Sequence, residues 1–282
     1  MPASAIPLSD MPQRFTTTLT FAAVLALSAC STPIAAPDIA QRVDKLLPAD
    51  AILLGEKHDV PEHQQLHQQV TAALASRGQL AALTLEMADL GGSTAGLPRN
   101  ASDADVQKAL RWNEAGWPWK AYGPAVMTAV AAGVPVLGAN LPRAQMRQAM
   151  GNNALDPLLT PAQLQAQQNA IRVGHCDQLP QSQIAPMTRI QIARDQTMAQ
   201  TVAAAAVPGK TVLLLAGGGH VDRAVGVPHY LPSTLTVKAV EFAPEGAAPA
   251  ATRGAVFDVA WATAAAPEKD YCAELTKTLK RD

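Results

Sequence analysis

The stretch Ala51-Ile52-Leu53-Leu54-Gly55-Glu56-Lys57-His58 passes from an apolar run into a glycine turn that carries a histidine. The same pattern returns in Thr211-Val212-Leu213-Leu214-Leu215-Ala216, which is followed by Gly217-Gly218-Gly219-His220. Short apolar runs that end at glycine are typical of buried strands in a parallel sheet. Because ligands of open α/β sheets bind beyond the carboxyl ends of the strands, we expect both histidines to face one crevice.

Apolar runs of strand length alternate with helical segments along the rest of the chain. We expect further strands near 80–86, 134–138, 235–242 and 255–260. The intervening segments predict helices, the clearest of them near 61–76, 103–111, 122–133, 142–150, 161–170 and 183–206. This alternation predicts an α/β fold with a mostly parallel sheet flanked by helices. The length suffices for a single domain of this class.

The N-terminal segment carries a targeting pattern. Arg14 precedes an apolar stretch over 15–27, which is shorter than the about 20 residues that span a bilayer. The stretch ends in Leu27-Ser28-Ala29-Cys30, which resembles the lipobox of a bacterial lipoprotein. In that interpretation Cys30 is the lipidated residue. The alternative is a plain secretory signal with a chance cysteine, and translation starts at Met1 or Met11.

The lipoprotein interpretation divides the chain into three parts. Residues 1–29 are the signal peptide, 30–45 are the lipidated cysteine and a tether, and 46–282 are the folded domain. Ser31 fits the sorting pattern of outer-membrane lipoproteins. We therefore expect a protein anchored by lipid, in the outer membrane and facing the periplasm. The formal net charge of −1 gives no electrostatic reason to expect binding to nucleic acid.

Cysteine usage points to one disulfide. The chain has three cysteines, and lipidation of Cys30 leaves Cys176 and Cys272. Two remaining thiols in an oxidising compartment are often bonded to each other, so we predict a disulfide between them. The alternatives are two buried free thiols, or a reactive thiol at Cys176 beside His175.

Polar side chains follow the predicted strands at the points where the strands end. Those expected to line one crevice are Glu56, His58, Glu86, Asn140 and His220. Two further candidates lie close to them in sequence: His63, within about a turn of the first histidine, and Arg143, which could hold a carboxylate. The simpler interpretation of the Glu56 and His58 turn is a hydrogen-bonded turn that packs the end of the sheet.

An ordered set of motifs resembles the ChaN family. It consists of Gly55-Glu56-Lys57-His58-Asp59, Pro61-Glu62-His63, Leu85-Glu86-Met87, Trp117-Pro118-Trp119 with Tyr122, Gly138-Ala139-Asn140-Leu141-Pro142-Arg143, Gln191, Arg194-Asp195 and Ala216-Gly217-Gly218-Gly219-His220-Val221. The resemblance covers roughly residues 50 to 242. Members of this family are haem-binding lipoproteins of bacterial iron uptake, within the Tiki/TraB/erythromycin-esterase-like group.

The resemblance implies a haem-binding protein rather than an enzyme. Haem iron is held by His or Tyr in many proteins, and the candidate ligands are Tyr122, His63 and His175. Haem is large and flat, so a homodimer that shares it is one expected assembly. An outer-membrane haem receptor is the expected partner in haem and iron uptake.

The wider group implies an alternative function. Its relatives with paired G-x-x-H motifs are hydrolases, including metal-dependent proteases. In that case the chain would be a periplasmic hydrolase or protease that uses a divalent metal. Its catalytic residues would then be Glu56, His58, Glu86 and His220. The motifs do not separate the two functions, because both would inherit the same turns.

Overall fold

Strand β1 (Ala51–Glu56) is buried at every position. Such a strand is expected where helices cover both faces of a parallel sheet, because neither set of side chains then meets water. The computed structural model describes residues 38–249, 256–265, 269–273 and 276. The other strands in these ranges are β2 (Leu80–Asp89), β3 (Val136–Asn140), β4 (Thr211–Gly217), β5 (Val237–Pro244) and β6 (Val259–Thr263).

The strands form one sheet with the order β3-β2-β4-β1-β5-β6. Every neighbouring pair is parallel. The prediction of an α/β fold built on a parallel sheet is therefore confirmed. Strand β4 lies between β1 and β2, so the two glycine-histidine turns follow neighbouring strands. In this register Glu56 is opposite Gly217.

The helices occupy the segments between the strands. They are α1 (Ile39–Asp44), α2 (Pro61–Ser76), α3 (Asp103–Leu110), α4 (Trp119–Ala131), α5 (Arg143–Gly151), α6 (Pro161–Gly174), α7 (Gln181–Ala204) and the short α8 (Gly218–Val221) and α9 (Val227–Tyr230). A 3-10 helix covers Asn153–Leu158. Local sequence explains several starts: Pro61 and Pro161 lie in the first turns of α2 and α6, and Ser102 caps α3.

Alternate residues of each strand pack on opposite faces of the sheet. On one face Leu54 and Leu85 pack with apolar residues of α2 and α4. On the other face Leu53 and Leu214 pack with Met198 and other residues of α7. The sheet is thus held between two helical layers, which leaves its carboxyl edge as the place where side chains can form a site.

Helix α1 lies within the range 30–45 that was predicted as a tether. Val43, in this helix, and Leu46, just beyond it, are fully buried against the core. The folded region therefore includes residues before 46. The predicted signal peptide and Cys30 lie outside the described residues. Within those residues, no helix is long and apolar enough to cross a membrane.

The structure joins Cys176, which follows α6, to Cys272 near the C-terminus. Their Cα atoms lie 5.6 Å apart, within the usual range for a disulfide. The positions of the two cysteines are thus compatible with the predicted bond.

Candidate functional site

The carboxyl ends of the central strands carry two buried glutamates. Glu56 is the last residue of β1, and Glu86 lies in β2 on the other side of β4. Both residues are at most 4% exposed. A buried carboxylate needs charged or hydrogen-bonding partners, since transfer from water to the interior is otherwise very costly. The surroundings of these two side chains therefore define the site.

Glu86 has partners on both carboxylate oxygens. Arg194 of α7 donates from Nη2 to Oε1 at 2.6 Å, and the backbone N–H of Gly217 donates to Oε2 at 2.7 Å. The Nε2 atom of His220 lies 3.3 Å from Oε1. Burial favours the neutral carboxyl, but His220, His58 and Arg194 outweigh it and hold the pKa of Glu86 well below its usual range.

His220 lies between two carboxylates. Its Nδ1 atom is 2.5 Å from Oδ1 of Asp195, and its Nε2 atom faces Glu86. Burial alone would lower the pKa of His220, yet the two carboxylates raise that pKa to about 9. Burial also raises the pKa of Asp195, to about 6, despite the opposing charge of His220. At neutral pH His220 is therefore a buried cation.

Asn140, the last residue of β3, ties the edge strand to this cluster. Its side-chain amide donates to the backbone carbonyl of Glu86 at 2.8 Å. Its Oδ1 atom accepts from Nε of Arg194 at 2.9 Å. Asn140 thereby orients the guanidinium that pairs with Glu86. Three strand ends and α7 are connected through these contacts.

Glu56 belongs to a second cluster, which includes the exposed histidine of the site. Its Oε1 atom accepts from the Tyr122 hydroxyl at 2.8 Å and lies 2.8 Å from Nδ1 of His58. The His58 side chain is 37% exposed and packs edge-on against Trp117, with ring centroids 4.8 Å apart. Burial opposes protonation of His58, but Glu56 and Glu86 raise its pKa above the usual value.

The two clusters line one crevice of about 550 Å³. Its walls are formed by Glu56, Lys57, His58, Asp59, Glu86, Gln191, Arg194, Gly217, Gly218, Gly219, His220 and Tyr271. The glycine turn forms part of the wall at a point where no side chain would fit easily. A Cβ atom on Gly217 would lie 2.9 Å from Nε2 of His58. Glycine therefore keeps the two turns close together.

The structure brings together most of the side chains predicted from strand ends. Glu56, His58, Glu86 and His220 line the crevice, and Asn140 contacts Arg194 and Glu86 behind it. Arg143 instead lies exposed at the start of α5. The arginine that reaches the crevice is Arg194 of α7, because that helix packs its polar face towards the carboxyl edge.

The candidate haem ligands lie elsewhere. Tyr122 is 1% exposed and donates its hydroxyl to Glu56. His63 is also 1% exposed; Nδ1 accepts from the backbone N–H of Lys57, and Nε2 lies 3.2 Å from the Thr263 hydroxyl. Neither side chain lines the crevice. His175 ends α6 and does not line the crevice; its Nδ1 is 2.8 Å from the Ile171 carbonyl.

Gln191, Arg194 and Asp195 were not singled out as site residues from strand ends. All three lie on α7, and their spacing of three and four places them on one helical face. A polar i, i+3, i+4 pattern in a helix that is otherwise apolar towards the sheet was the available signal. The side of the molecule that this polar face meets depends on how α7 packs, which the sequence alone does not give.

The arrangement offers hydrogen bonds, fixed charges and one accessible imidazole. Among the residues that the structure describes, no group of three or more His, Cys, Asp or Glu side chains is placed to hold a metal ion. Arg194 and the Gly217 amide already occupy the carboxylate oxygens of Glu86. The alternative of a divalent-metal site built from Glu56, His58, Glu86 and His220 is therefore not supported.

The solved structures that match this chain include one whose fold covers most of its length. It is a structure described as cofacial haem binding to ChaN of Campylobacter jejuni, with a TM-score of 0.61 and 25% identity. The match covers 74% of this chain and 87% of that chain. A bacterial protein toxin also matches, at 12% identity with a TM-score of 0.43, covering 74% of this chain and 37% of that chain.

Another match is the type III effector HopBA1, at 17% identity with a TM-score of 0.38; it covers 71% of this chain and 79% of that chain. No curated protein matches. Residues 42–231 match the family model described as haem-binding uptake, Tiki superfamily, ChaN. That range contains both glycine-histidine turns and the polar face of α7, and the chain belongs to the ChaN family of the Tiki superfamily.

Proposed function

We propose that this protein binds haem in the crevice and serves haem or iron uptake as a lipid-anchored protein of the outer membrane, facing the periplasm. Membership of the ChaN family is the observation that carries the proposal. The solved ChaN of Campylobacter jejuni, described as binding haem cofacially, supports it at the level of the fold. Contacts within the crevice add chemical support for such a ligand.

His58 is arranged as metal-binding histidines commonly are. Its Nδ1 atom faces the carboxylate of Glu56 at 2.8 Å, so Nδ1 carries the proton that is donated. The carboxylate raises the basicity of the imidazole, and iron bound at Nε2 would replace a proton and the contact of Nε2 with Oε2 of Glu86, which lies 3.7 Å away. Because the His58 side chain is 37% exposed in the crevice, we prefer it as an iron ligand to the buried Tyr122 and His63.

The crevice also carries cations for the carboxylates of haem. Lys57 is exposed on its wall, and the Arg194 side chain keeps 21% of its surface exposed beside Glu86. Charge-assisted hydrogen bonds to carboxylates are stronger than neutral ones. The half-buried ring of Trp117 packs edge-on against His58 and adds a flat apolar surface beside it. Bound haem would supply an iron atom and a large flat apolar face.

The anchor, the assembly and the partner complete the proposal. Lipidation of Cys30 would place the domain at the membrane without a spanning helix. A homodimer would cover the second face of a haem that one open crevice leaves exposed. An outer-membrane haem receptor would exchange haem with the protein. The lipobox pattern supports the anchor, and the flat shape of haem supports the dimer.

A titration with hemin tests the binding site. We expect the wild-type protein to give a Soret band that saturates at a fixed stoichiometry. His58→Ala should weaken binding by more than about tenfold and shift the band, since an iron ligand is lost. His229→Ala is the matched control, because His229 is exposed and does not line the crevice.

Two outcomes would contradict the proposal. If the wild-type protein gives no Soret band that saturates with hemin, haem is not the ligand of this protein. If His58→Ala binds hemin with wild-type affinity and an unchanged Soret band, His58 is not the iron ligand. His175, whose Nδ1 faces the Ile171 carbonyl, would then be the next position to replace.

A further inference from the structure

Tyr271 lines the crevice although it lies outside the region that matches the family. The chain has three tyrosines. Tyr122 is 1% exposed, and the hydroxyl of Tyr230 is buried. Tyr271 is 46% exposed and forms part of the wall beside His58 and Asp59. It is therefore the tyrosine whose ring a ligand in the crevice can meet.

Several contacts fix the segment that carries Tyr271. The Tyr271 hydroxyl donates to Oδ2 of Asp59, in the turn that follows β1. The next residue, Cys272, is joined to Cys176 at the end of α6. Two residues beyond Cys176, Gln178 donates from Nε2 to the Thr276 hydroxyl at 2.7 Å. The ring is thus held from the crevice side and from the α6 side.

The covalent link is the strongest of these contacts. Hydrogen bonds at exposed positions add little to stability, because water competes for the same groups. A bond between residues 96 positions apart instead removes much of the freedom of the C-terminal segment. Removing that bond would leave Tyr271 with contacts that open readily.

We propose that Tyr271 contacts haem through its ring, and that the bond between Cys176 and Cys272 positions it in the crevice wall. This inference rests on the proposed haem function and adds a residue from outside the matched region to that site. Aromatic rings stack on flat aromatic ligands, and a rigid ring loses little freedom on binding. The Cys176–Cys272 link then contributes to haem binding indirectly, because it holds Tyr271 in place.

Substitutions at Tyr271 test the contact. We expect Tyr271→Ala to weaken hemin binding by about tenfold, the size of effect that aromatic contacts give. Tyr271→Phe keeps the ring and should bind within about threefold of wild type. Val173→Ala is the control, because Val173 is exposed near the same end of α6 and is outside the crevice. Equal affinity of Tyr271→Ala and wild type would overturn the inference.

Replacement of the two cysteines tests whether their bond positions Tyr271. With Cys30 lipidated, the denatured, unreduced protein should show no free thiol. The double variant Cys176→Ser/Cys272→Ser should lose hemin affinity about as much as Tyr271→Ala. Adding Tyr271→Ala to the double variant should cause little further loss, because both changes remove the same contact. Circular dichroism of each variant shows that the domain is folded.

The possible failures are distinguishable. No hemin binding by the wild-type protein would overturn the proposed function and this inference with it. Free thiols at Cys176 and Cys272, or wild-type affinity in the double serine variant, would overturn the positioning role alone. Loss of binding in Tyr271→Phe as large as in Tyr271→Ala would overturn the ring contact, since only the hydroxyl differs.

Discussion

At the scale of single residues, the cation of His220 holds two buried carboxylates together. Its Nδ1 and Nε2 atoms face Asp195 and Glu86, and its pKa rises to about 9 from the usual 6.5. A raised pKa means that the folded protein binds the proton more tightly than the unfolded chain. The resulting stability is complete below pH 6.5 and is lost as the pH rises through about 9.

We therefore expect the free energy of unfolding to fall as the pH rises from 6.5 to about 9, because the folded protein then loses the proton that pairs with both carboxylates. His220→Gln should be less stable at pH 7 and should show a flatter profile across the same interval. Urea unfolding at several pH values measures both. His229→Gln, at an exposed position, should keep the wild-type slope; an equally steep slope in His220→Gln would contradict the assignment.

Strand-end reasoning predicted part of this residue network from the sequence. Glu56, His58 and His220 come directly after apolar runs, and parallel strands bring such positions to one edge. Arg194 and Asp195 could not be assigned in the same way, because their directions depend on the rotation of α7 about its axis. Tyr271 was unpredictable for a different reason: it lies far along the chain from the other crevice residues, and only the folded structure places it in the wall.

At the scale of elements, the pairing of β2 with β3 leaves no room for a side chain at Gly138. Strand β2 continues to Asp89, beyond the end that the sequence predicted, and the register shifts between Leu85 and Asp89. Glu86 had suggested an earlier end, because a carboxylate is unusual inside a buried strand. The shift brings the Asp89 carbonyl close to the Gly138 backbone.

Gly138→Ala should destabilise the protein by about 3 kcal/mol or more. A Cβ atom there would lie 2.1 Å from the Asp89 carbonyl oxygen, so one of the two strands must move. Asn140, two residues later, would shift as well, and hemin binding should weaken. Gly151→Ala in α5 is the control, since its Cβ meets nothing within 4 Å. This control should be neutral or slightly stabilising. An equal loss of unfolding free energy in both variants would refute the packing argument.

Most elements were predictable because each has a strong local signal. Helix α2 begins at Pro61 and ends at Ser76 as predicted, and β4 follows its apolar run. Helix α1 was missed because six residues carry too little periodicity to distinguish a helix from a tether. The short helices α8 and α9 were missed for the same reason. Packing against the rest of the domain, which a local pattern does not report, stabilises them.

At the scale of the whole molecule, the proposed lipid anchor depends on Cys30. We expect Cys30→Ser to accumulate as unprocessed precursor and to disappear from the outer-membrane fraction, because the thiol that receives the lipid is gone. Fractionation with detection of the precursor by mass measures this. Cys272→Ser should still be processed and anchored. A Cys30→Ser protein that is trimmed normally and stays with membranes would exclude the lipoprotein interpretation.

The position of β4 has a consequence for how the protein is made. This strand lies in the middle of the sheet, yet it is encoded at residues 211–217, after β1, β2 and β3. During synthesis β1 and β2 leave the ribosome first. They cannot be joined in the sheet until β4, which lies between them, has been made. The nascent chain therefore carries open apolar edges through most of translation, a state prone to aggregation. Under the proposed export, the chain would have to stay unfolded until the segment from residue 211 onward, about its last quarter, has crossed the membrane.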